Sequence, residues 1–189
     1  MTSLDAIRDS LPDYARDLRL NLGAVLAPTG APGLTEKQIW GVAVASAIAS
    51  RNVGFAKQIE ALAAEKLDEG YLTAARSAAA IMGMNNIYYR FLHLVEDPEY
   101  AQLPARLRMN VIGNPGIDKL DFELLSLAVS AVNGCGMCIV AHEKQLRKHE
   151  VSREAIQSAI RIAATLHAVA GVLEHSAAVE VETAAAVAA

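Results

Sequence analysis

The only two cysteines of this 189-residue chain, Cys135 and Cys138, stand three positions apart, and His142 follows the second by four. In a helix, which turns about 100° per residue, residues three or four positions apart share a face. Such a segment would place a dithiol beside an imidazole base. Two thiols that close into a disulfide release two electrons, and the disulfide accepts two electrons when it reopens. We therefore interpret Cys135 and Cys138 as a redox-active pair.

The thiolate is the reactive form of cysteine, and a thiol with an unperturbed pKa of about 8.5 is mostly protonated at neutral pH. The pair stands at the start of a predicted helix, where unpaired backbone N–H groups favour negative charge. His142 can also take the proton of Cys138 or pair with its thiolate. Both features predict a lowered thiol pKa at this site.

Glu123 precedes Cys135 by 12 residues, on the helix predicted before the pair. A buried glutamate in this place could orient His142 or relay a proton through water. Spacing alone does not distinguish this role from that of an ordinary solvated glutamate on a helix surface.

Other interpretations of the cysteine pair remain open from the residues alone. A zinc site would need Cys135, Cys138, His142 and one further ligand, and the chain has no second pair of cysteines. Two buried structural cysteines would carry no chemistry. A thioredoxin-like domain is disfavoured, because no strand–helix–strand pattern surrounds the pair.

The composition favours an all-helical protein. Hydrophobic residues make up 53% of the chain and aromatic residues only 5%, with alanine supplying much of the apolar share. A formal charge of −4 argues against nucleic-acid binding, which relies on basic patches. The N-terminal residues lack a secretory leader pattern, and no uninterrupted apolar run reaches about 18 residues. We therefore expect a cytoplasmic protein without a membrane span.

Helical periodicity runs along most of the chain, and capping residues indicate where helices begin. Pro12 should divide an opening amphipathic helix. Thr35 and Gln38 have the form of a capping box. We expect Thr73 to cap a long Ala-rich helix that ends near residue 94, and Ser152 to cap the last long helix. The other predicted helices run from about 35 to 50, from the break at 51–54 to about 67, from Asp118 or Asp121 to about 132, and from about 135 to 148.

The two halves of the chain share a weak internal sequence similarity. The sequence ASAI at 45–48 resembles VSAV at 129–132, 84 residues later. At this offset Arg51 and Gly54 stand opposite the two cysteines. We predict a single helical domain over 1–189, with a degenerate repeat at about 35–95 and an active repeat at about 118–175. Chance similarity of Ala- and Ser-rich helices is the alternative.

Three further segments, taken together with the opening of the chain, resemble the alkylhydroperoxidase D (AhpD) family. The spacing of Glu123, the cysteine pair and His142 is also similar to the wider family that includes carboxymuconolactone decarboxylases. The resemblance extends over nearly the whole chain. Its segments are LPDYARDL at 11–18, IMGMNNIYYR at 81–90, LRMNVIGNPG at 107–116, and Glu123 followed by NGCGMCIVAH at 133–142.

The resemblance implies an AhpD-like all-α fold with two related halves, assembled as a homotrimer. It also implies thiol-dependent reduction of organic hydroperoxides, with electrons taken from a dihydrolipoyl protein and passed to an AhpC-type peroxiredoxin. Cys138 would attack the peroxide, Cys135 would resolve the intermediate, His142 would deprotonate Cys138, and Glu123 would complete the proton relay. No metal, flavin or haem is implied.

One position departs from the family pattern, which has histidine where this chain has Met137. The loss of an imidazole there leaves a second redox interpretation open, a thiol–disulfide electron-transfer adaptor with little peroxidase activity of its own. A zinc-binding structural module is the alternative from another class. Decarboxylation of a lactone acid is disfavoured, because that chemistry does not need a dithiol.

Overall fold

The computed structural model describes the backbone of residues 3–188 and the side chains of residues 3–179. Within the described backbone there are ten α-helices and no β-strand, which confirms the predicted all-α fold. The helices are α1 (Leu4–Asp9), α2 (Arg16–Val25), α3 (Glu36–Ala49), α4 (Val53–Ala63), α5 (Glu69–Leu94), α6 (Pro98–Gln102), α7 (Asn110–Gly113), α8 (Lys119–Val132), α9 (Gly136–Lys148) and α10 (Arg153–Ala188).

Several helix starts follow the predicted capping residues. Thr35 and Gln38 form the expected capping box at α3, in which each side chain accepts the backbone N–H of the other residue. Asp118 caps α8, and Ser152 accepts the N–H of Ala155 at 3.0 Å at the start of α10. Local hydrogen-bond chemistry is therefore enough to place these starts.

Two helix bounds differ from the prediction. Helix α5 begins at Glu69, because the carboxylate of Asp68 accepts the N–H of Tyr71 and caps the helix before Thr73 is reached. The earlier start buries Tyr71 in the core. Helix α4 ends at Ala63, before the predicted end at Leu67, and a turn follows.

Helix α3 lies at the centre of the molecule and packs against α5, α8 and α10. Its interior positions are mostly buried and include Ala43, Ala45 and Ala47, each with no exposed surface. These small side chains let the neighbouring helices approach closely. Helix α8 packs in turn against α5, α9 and α10, so the helix that precedes the cysteines belongs to the same core.

The segment Arg153–Val179 of α10 is the one helical stretch among the described residues whose length and hydropathy would suit a membrane span. It packs against α2, α3 and α8, and 44% of its most apolar window is buried inside the protein. Ile162, Leu166 and Val169 are completely covered. Its apolar character is accounted for by this place in the core.

Two sets of three helices correspond in order and spacing, and we call them the first helical unit (α3, α4 and α5) and the second helical unit (α8, α9 and α10). Helices α3 and α8 each have 14 residues. The starts of corresponding helices lie 83, 83 and 84 residues apart, at Glu36 and Lys119, Val53 and Gly136, and Glu69 and Arg153. Descent from one duplicated sequence, with the repeat bounds given above, stays a prediction.

The offset at the cysteines differs by one residue from the expected 84. Counted from the helix starts, Asn52 and Phe55 of the first helical unit stand opposite Cys135 and Cys138, in place of the expected Arg51 and Gly54.

Candidate active site

Cys135 is the N-cap residue of α9, at the turn that joins α8 to α9. Gly134 makes this turn possible, since its φ of 69° lies in the left-handed region that favours glycine. The backbone N–H of Cys135 donates to the carbonyl of Ser130 at 3.0 Å, and its sulfur accepts the N–H of Cys138 at 3.4 Å. Cys135 has no exposed surface. The sulfur therefore stands where a serine or asparagine oxygen usually caps a helix.

Cys138 lies in the first turn of α9 and lines a cavity of about 250 Å³. Its side chain is nearly covered, and both cysteines are free thiols in this structure. The wall of the cavity is largely apolar. The lining residues are Met82, Asn85 and Tyr89 from α5, Met109 and Ile112 at and near α7, and Met137, Cys138, Ala141 and His142 from α9.

His142 and Glu123 form the polar side of the site. Nδ1 of His142 lies 2.6 Å from Oε2 of Glu123, and the two side chains are 14% and 23% exposed. Glu123 therefore holds the ring of His142 in place, and Nε2 is the nitrogen left to exchange a proton. Within the described side chains no hydrogen bond joins His142 to either sulfur, so the direct pairing with Cys138 expected from the spacing is not formed.

The pKa of Cys138 differs from the sequence prediction. Burial of the thiol raises the pKa of Cys138 to about 12, and the neighbouring thiol of Cys135 raises it too, whereas the amide of Asn86 acts in the opposite direction. The expected lowering by the helix N-terminus and His142 was wrong, because sequence spacing does not report desolvation. At neutral pH Cys138 is therefore a protonated thiol that needs a base.

A buried polar network that the sequence reasoning missed lies behind the cysteines. The amide of Asn86 donates to the hydroxyl of Ser130 at 2.9 Å, and the amide of Asn133 donates to the side-chain oxygen of Asn86 at 2.9 Å. Arg90 donates to the carbonyl of Asn133 at 2.8 Å. The network ties α5 to the turn before Cys135. Two adjacent asparagines inside a helix were the available signal, since asparagine is a poor helix former.

The zinc alternative lacks a ligand set in the described part of the chain. Among those residues no group of three or more His, Cys, Asp or Glu side chains is placed to hold a metal ion. Cys135 is turned toward the backbone N–H of Cys138, and Nδ1 of His142 is bound to Glu123.

Comparison with known proteins agrees with the family resemblance. The carboxymuconolactone decarboxylase family profile matches residues 98–181. The protein named "Alkyl hydroperoxide reductase AhpD" from Rhodospirillum centenum is 57% identical over 176 residues, which cover 93% of each chain. Proteins of the same name from Gluconacetobacter diazotrophicus and Frankia alni are 55% and 56% identical, over 93% and 89% of this chain and 95% and 89% of their own.

Proposed function

This chain belongs to the alkyl hydroperoxide reductase AhpD family, and from that premise we propose that it reduces organic hydroperoxides with the thiols of Cys135 and Cys138. One observation carries the proposal. Cys138 lines an apolar cavity that also contains His142, and Glu123 holds that histidine from behind. A nucleophile, a base and a group that orients the base therefore meet at one place.

The first step is attack of the Cys138 thiolate on the peroxide. Its sulfur forms a bond to the terminal oxygen of the peroxide, the one that carries the hydrogen, while the O–O bond breaks and the alkoxide leaves as an alcohol after it gains a proton. The thiolate sulfur is oxidised by two electrons to a sulfenic acid, and the peroxide is reduced by the same two electrons.

His142 moves the proton in this step. Because burial keeps Cys138 protonated at neutral pH, its thiol must lose a proton before attack, and Nε2 of His142 is the free basic nitrogen in the cavity. The transfer runs through the bound substrate or a water, since the ring does not hydrogen-bond the sulfur directly. Glu123 stabilises the imidazolium, which then returns the proton to the alkoxide.

Cys135 resolves the sulfenic acid. Its sulfur attacks the sulfur of Cys138, water leaves, and the Cys135–Cys138 disulfide forms. Cys135 has no exposed surface, so its neighbour on α9 is the partner it can reach. A dithiol donor then reopens the disulfide by exchange. The donor thiol attacks the sulfur of Cys138, because Cys138 lines the cavity.

The electron donor and acceptor follow from the family. We propose that a protein-bound dihydrolipoyl group reduces the disulfide and that an AhpC-type peroxiredoxin accepts electrons from this protein. The redox-active disulfide takes the place of a cofactor in this cycle. We place the protein in the cytoplasm, where a catalytic pair of thiols would be kept reduced.

A homotrimer is also proposed, on the strength of the family. Several large apolar side chains on and after α5 are exposed and would suit burial against another copy. They are Ile87, Phe91, Leu94 and Leu103, at 47–68% exposure. Sedimentation equilibrium of the full chain would test this assembly, and a monomer at micromolar concentration would contradict it.

The deciding experiment is consumption of cumene hydroperoxide by the pure protein with reduced lipoamide, in wild type and in Cys138→Ser. Turnover that disappears in the variant would support a thiol peroxidase. A second function is favoured by Met137, which brings a thioether to the cavity where the family pattern has an imidazole. If wild type does not consume peroxide but lipoamide still reduces its disulfide, the protein is an electron-transfer adaptor.

A further inference from the structure

Asn85 forms part of the wall of the cavity that contains Cys138. Its side chain lines the cavity and is only 3% exposed, and its amide oxygen has no hydrogen-bond partner. A buried acceptor without a partner destabilises the folded protein, so such groups need an explanation.

The fold does not use this amide oxygen, whereas it does use the side chain of the next residue. The side chain of Asn86 both donates and accepts, to Ser130 and from Asn133, and so has a structural role. Five buried side-chain atoms in the described part of the chain lack a hydrogen-bond partner. Among the residues that carry them, Asn85 is the one that lines this cavity. The other four are Nε of Arg19 and the hydroxyls of Ser46, Tyr71 and Ser126.

We propose that Asn85 binds the hydroperoxide: its covered amide oxygen turns toward the cavity when the substrate enters and accepts a hydrogen bond from the O–O–H hydroxyl. The inference rests on the proposed function and deepens it by naming the group that positions the substrate. A hydroperoxide carries an alkyl end and a hydroxyl end, and the cavity matches both. The thioethers of Met82, Met109 and Met137 contact the alkyl end, and Asn85 takes the hydroxyl.

The hydrogen bond places the oxygen that sulfur must attack. The oxygen held by Asn85 is the one that moves to Cys138, forming the S–O bond while the O–O bond breaks. The other oxygen leaves as an alkoxide and takes its proton from Nε2 of His142. The sulfur loses the two electrons that the peroxide gains, so the step balances without a further reactant.

Asn85→Leu tests this role, because leucine has a similar volume and removes the unpartnered polar atom. We expect thermal stability to be unchanged or higher, while the second-order rate constant for oxidation of the reduced protein by cumene hydroperoxide falls about tenfold, the effect of one hydrogen bond. Alkylation of Cys138 by iodoacetamide should be unchanged, since the thiol itself is not altered. Asn85→Ala, which leaves space in the cavity, should show the same selective loss.

Ser46→Ala is the matched control, because it removes an unpartnered buried hydroxyl from α3, away from the cavity. It should react with the hydroperoxide at the wild-type rate. If wild type reacts and both Asn85 variants react equally fast, the role of Asn85 is overturned while the proposed function stands. Equal losses in oxidation and alkylation would also overturn it, by placing the effect on the thiol. An unreactive wild type would overturn the proposed function and this role together.

Discussion

The helix starts of α4 and α9 show the same backbone arrangement with different side chains. Asn52 caps α4 by accepting the N–H of Phe55 at 2.8 Å, and Cys135 caps α9 by accepting the N–H of Cys138 at 3.4 Å. In each case the third helical residue turns inward and is buried. A sulfur is a weak hydrogen-bond acceptor compared with an amide oxygen. The second helical unit thus has a weaker cap but two neighbouring thiols.

The difference continues along the same helices. The seventh residue is Ile59 in α4 and His142 in α9, and the fifth residue is Trp40 in α3 and Glu123 in α8. Ile59 and Trp40 belong to the apolar core, whereas His142 and Glu123 contact each other beside a cavity. The same arrangement of helices can therefore hold either an apolar core or a reactive site, depending on which side chains occupy a few inward-facing positions.

The supporting helices differ as well. Counted from the starts of α5 and α10, Asn86 corresponds to Ala170. In the first helical unit the cap itself provides the link, since the amide of Asn52 donates to the carbonyl of Ala170 at 3.2 Å and to Glu174 at 2.8 Å. At the start of α9 the polar link comes instead from Asn86 of α5, and this leaves the cap position open for a cysteine.

The largest expected effect comes from removing the nucleophile of the second helical unit. Cys138→Ser should abolish peroxide turnover, because a serine hydroxyl is far less acidic than a thiol and its oxygen cannot be oxidised as the sulfur is. Cys135→Ser should stop after one oxidation, with Cys138 trapped as a sulfenic acid or a mixed disulfide. Lipoamide-coupled peroxide consumption and intact-protein mass spectrometry would measure both. Full turnover in either variant would contradict the mechanism.

Next in size is loss of the base and the group that orients it. His142→Gln and Glu123→Gln should each slow oxidation by cumene hydroperoxide about 100-fold, in the range expected for general acid–base catalysis, while the fold survives. His149→Gln, at the exposed end of the same helix, is the matched control and should keep the wild-type rate. Wild-type rates in both His142→Gln and Glu123→Gln would contradict the proposed proton relay.

The pH dependence of Cys138 should differ from that of an exposed thiol. With its pKa raised to about 12 by burial, alkylation by iodoacetamide should become about tenfold faster per pH unit from pH 7 to 10, since the thiolate fraction keeps growing. The same shift means that the folded protein binds this proton more tightly than the unfolded chain. Its stabilising effect is complete below about pH 9 and is lost as pH rises toward 12. A plateau in the alkylation rate near pH 8.5 would contradict the raised value.

Asn86→Ala would give α5 the residue that α10 carries at the corresponding position. We expect a loss of about 1–3 kcal/mol in the free energy of unfolding, because Ser130 and Asn133 lose a buried partner. Alkylation of Cys138 should also slow, since the amide that favours its thiolate is removed. Denaturant unfolding and alkylation kinetics are the measurements. Asn21→Ala, exposed on α2, is the control. If Asn86→Ala matches this control in both measurements, Asn86 does not support the turn before Cys135.

The smallest effect on activity should come from the corresponding cap in the first helical unit. Asn52→Ala should lower the free energy of unfolding by about 1–2 kcal/mol, as loss of a helix cap does, and leave peroxide turnover unchanged. Cys135→Ser should give the opposite pattern, with stability retained because serine is a good cap and turnover lost. A large fall in turnover in Asn52→Ala would show that the two units are coupled.

Much of the fold could be predicted from the sequence because its signals are local. Periodicity identified the main helices, and the capping box at Thr35 and the carboxylate of Asp118 act within one turn of the chain. The spacing of Cys135, Cys138 and His142 indicated redox chemistry for the same reason. The start of α5 was misplaced because Asp68 and Thr73 are both good caps, and burial of Tyr71 favours the earlier one.

What the sequence could not supply depends on contacts between distant segments. Desolvation of Cys138 arises where α9 packs against α5 and α8, and it reversed the expected direction of the pKa shift. The pairing of His142 with Glu123 and the different roles of Asn85 and Asn86 also required the packing of separate helices. Residue types and spacing define which chemistry is available, whereas burial and orientation decide which atoms can carry it out, because both arise only when the helices pack together.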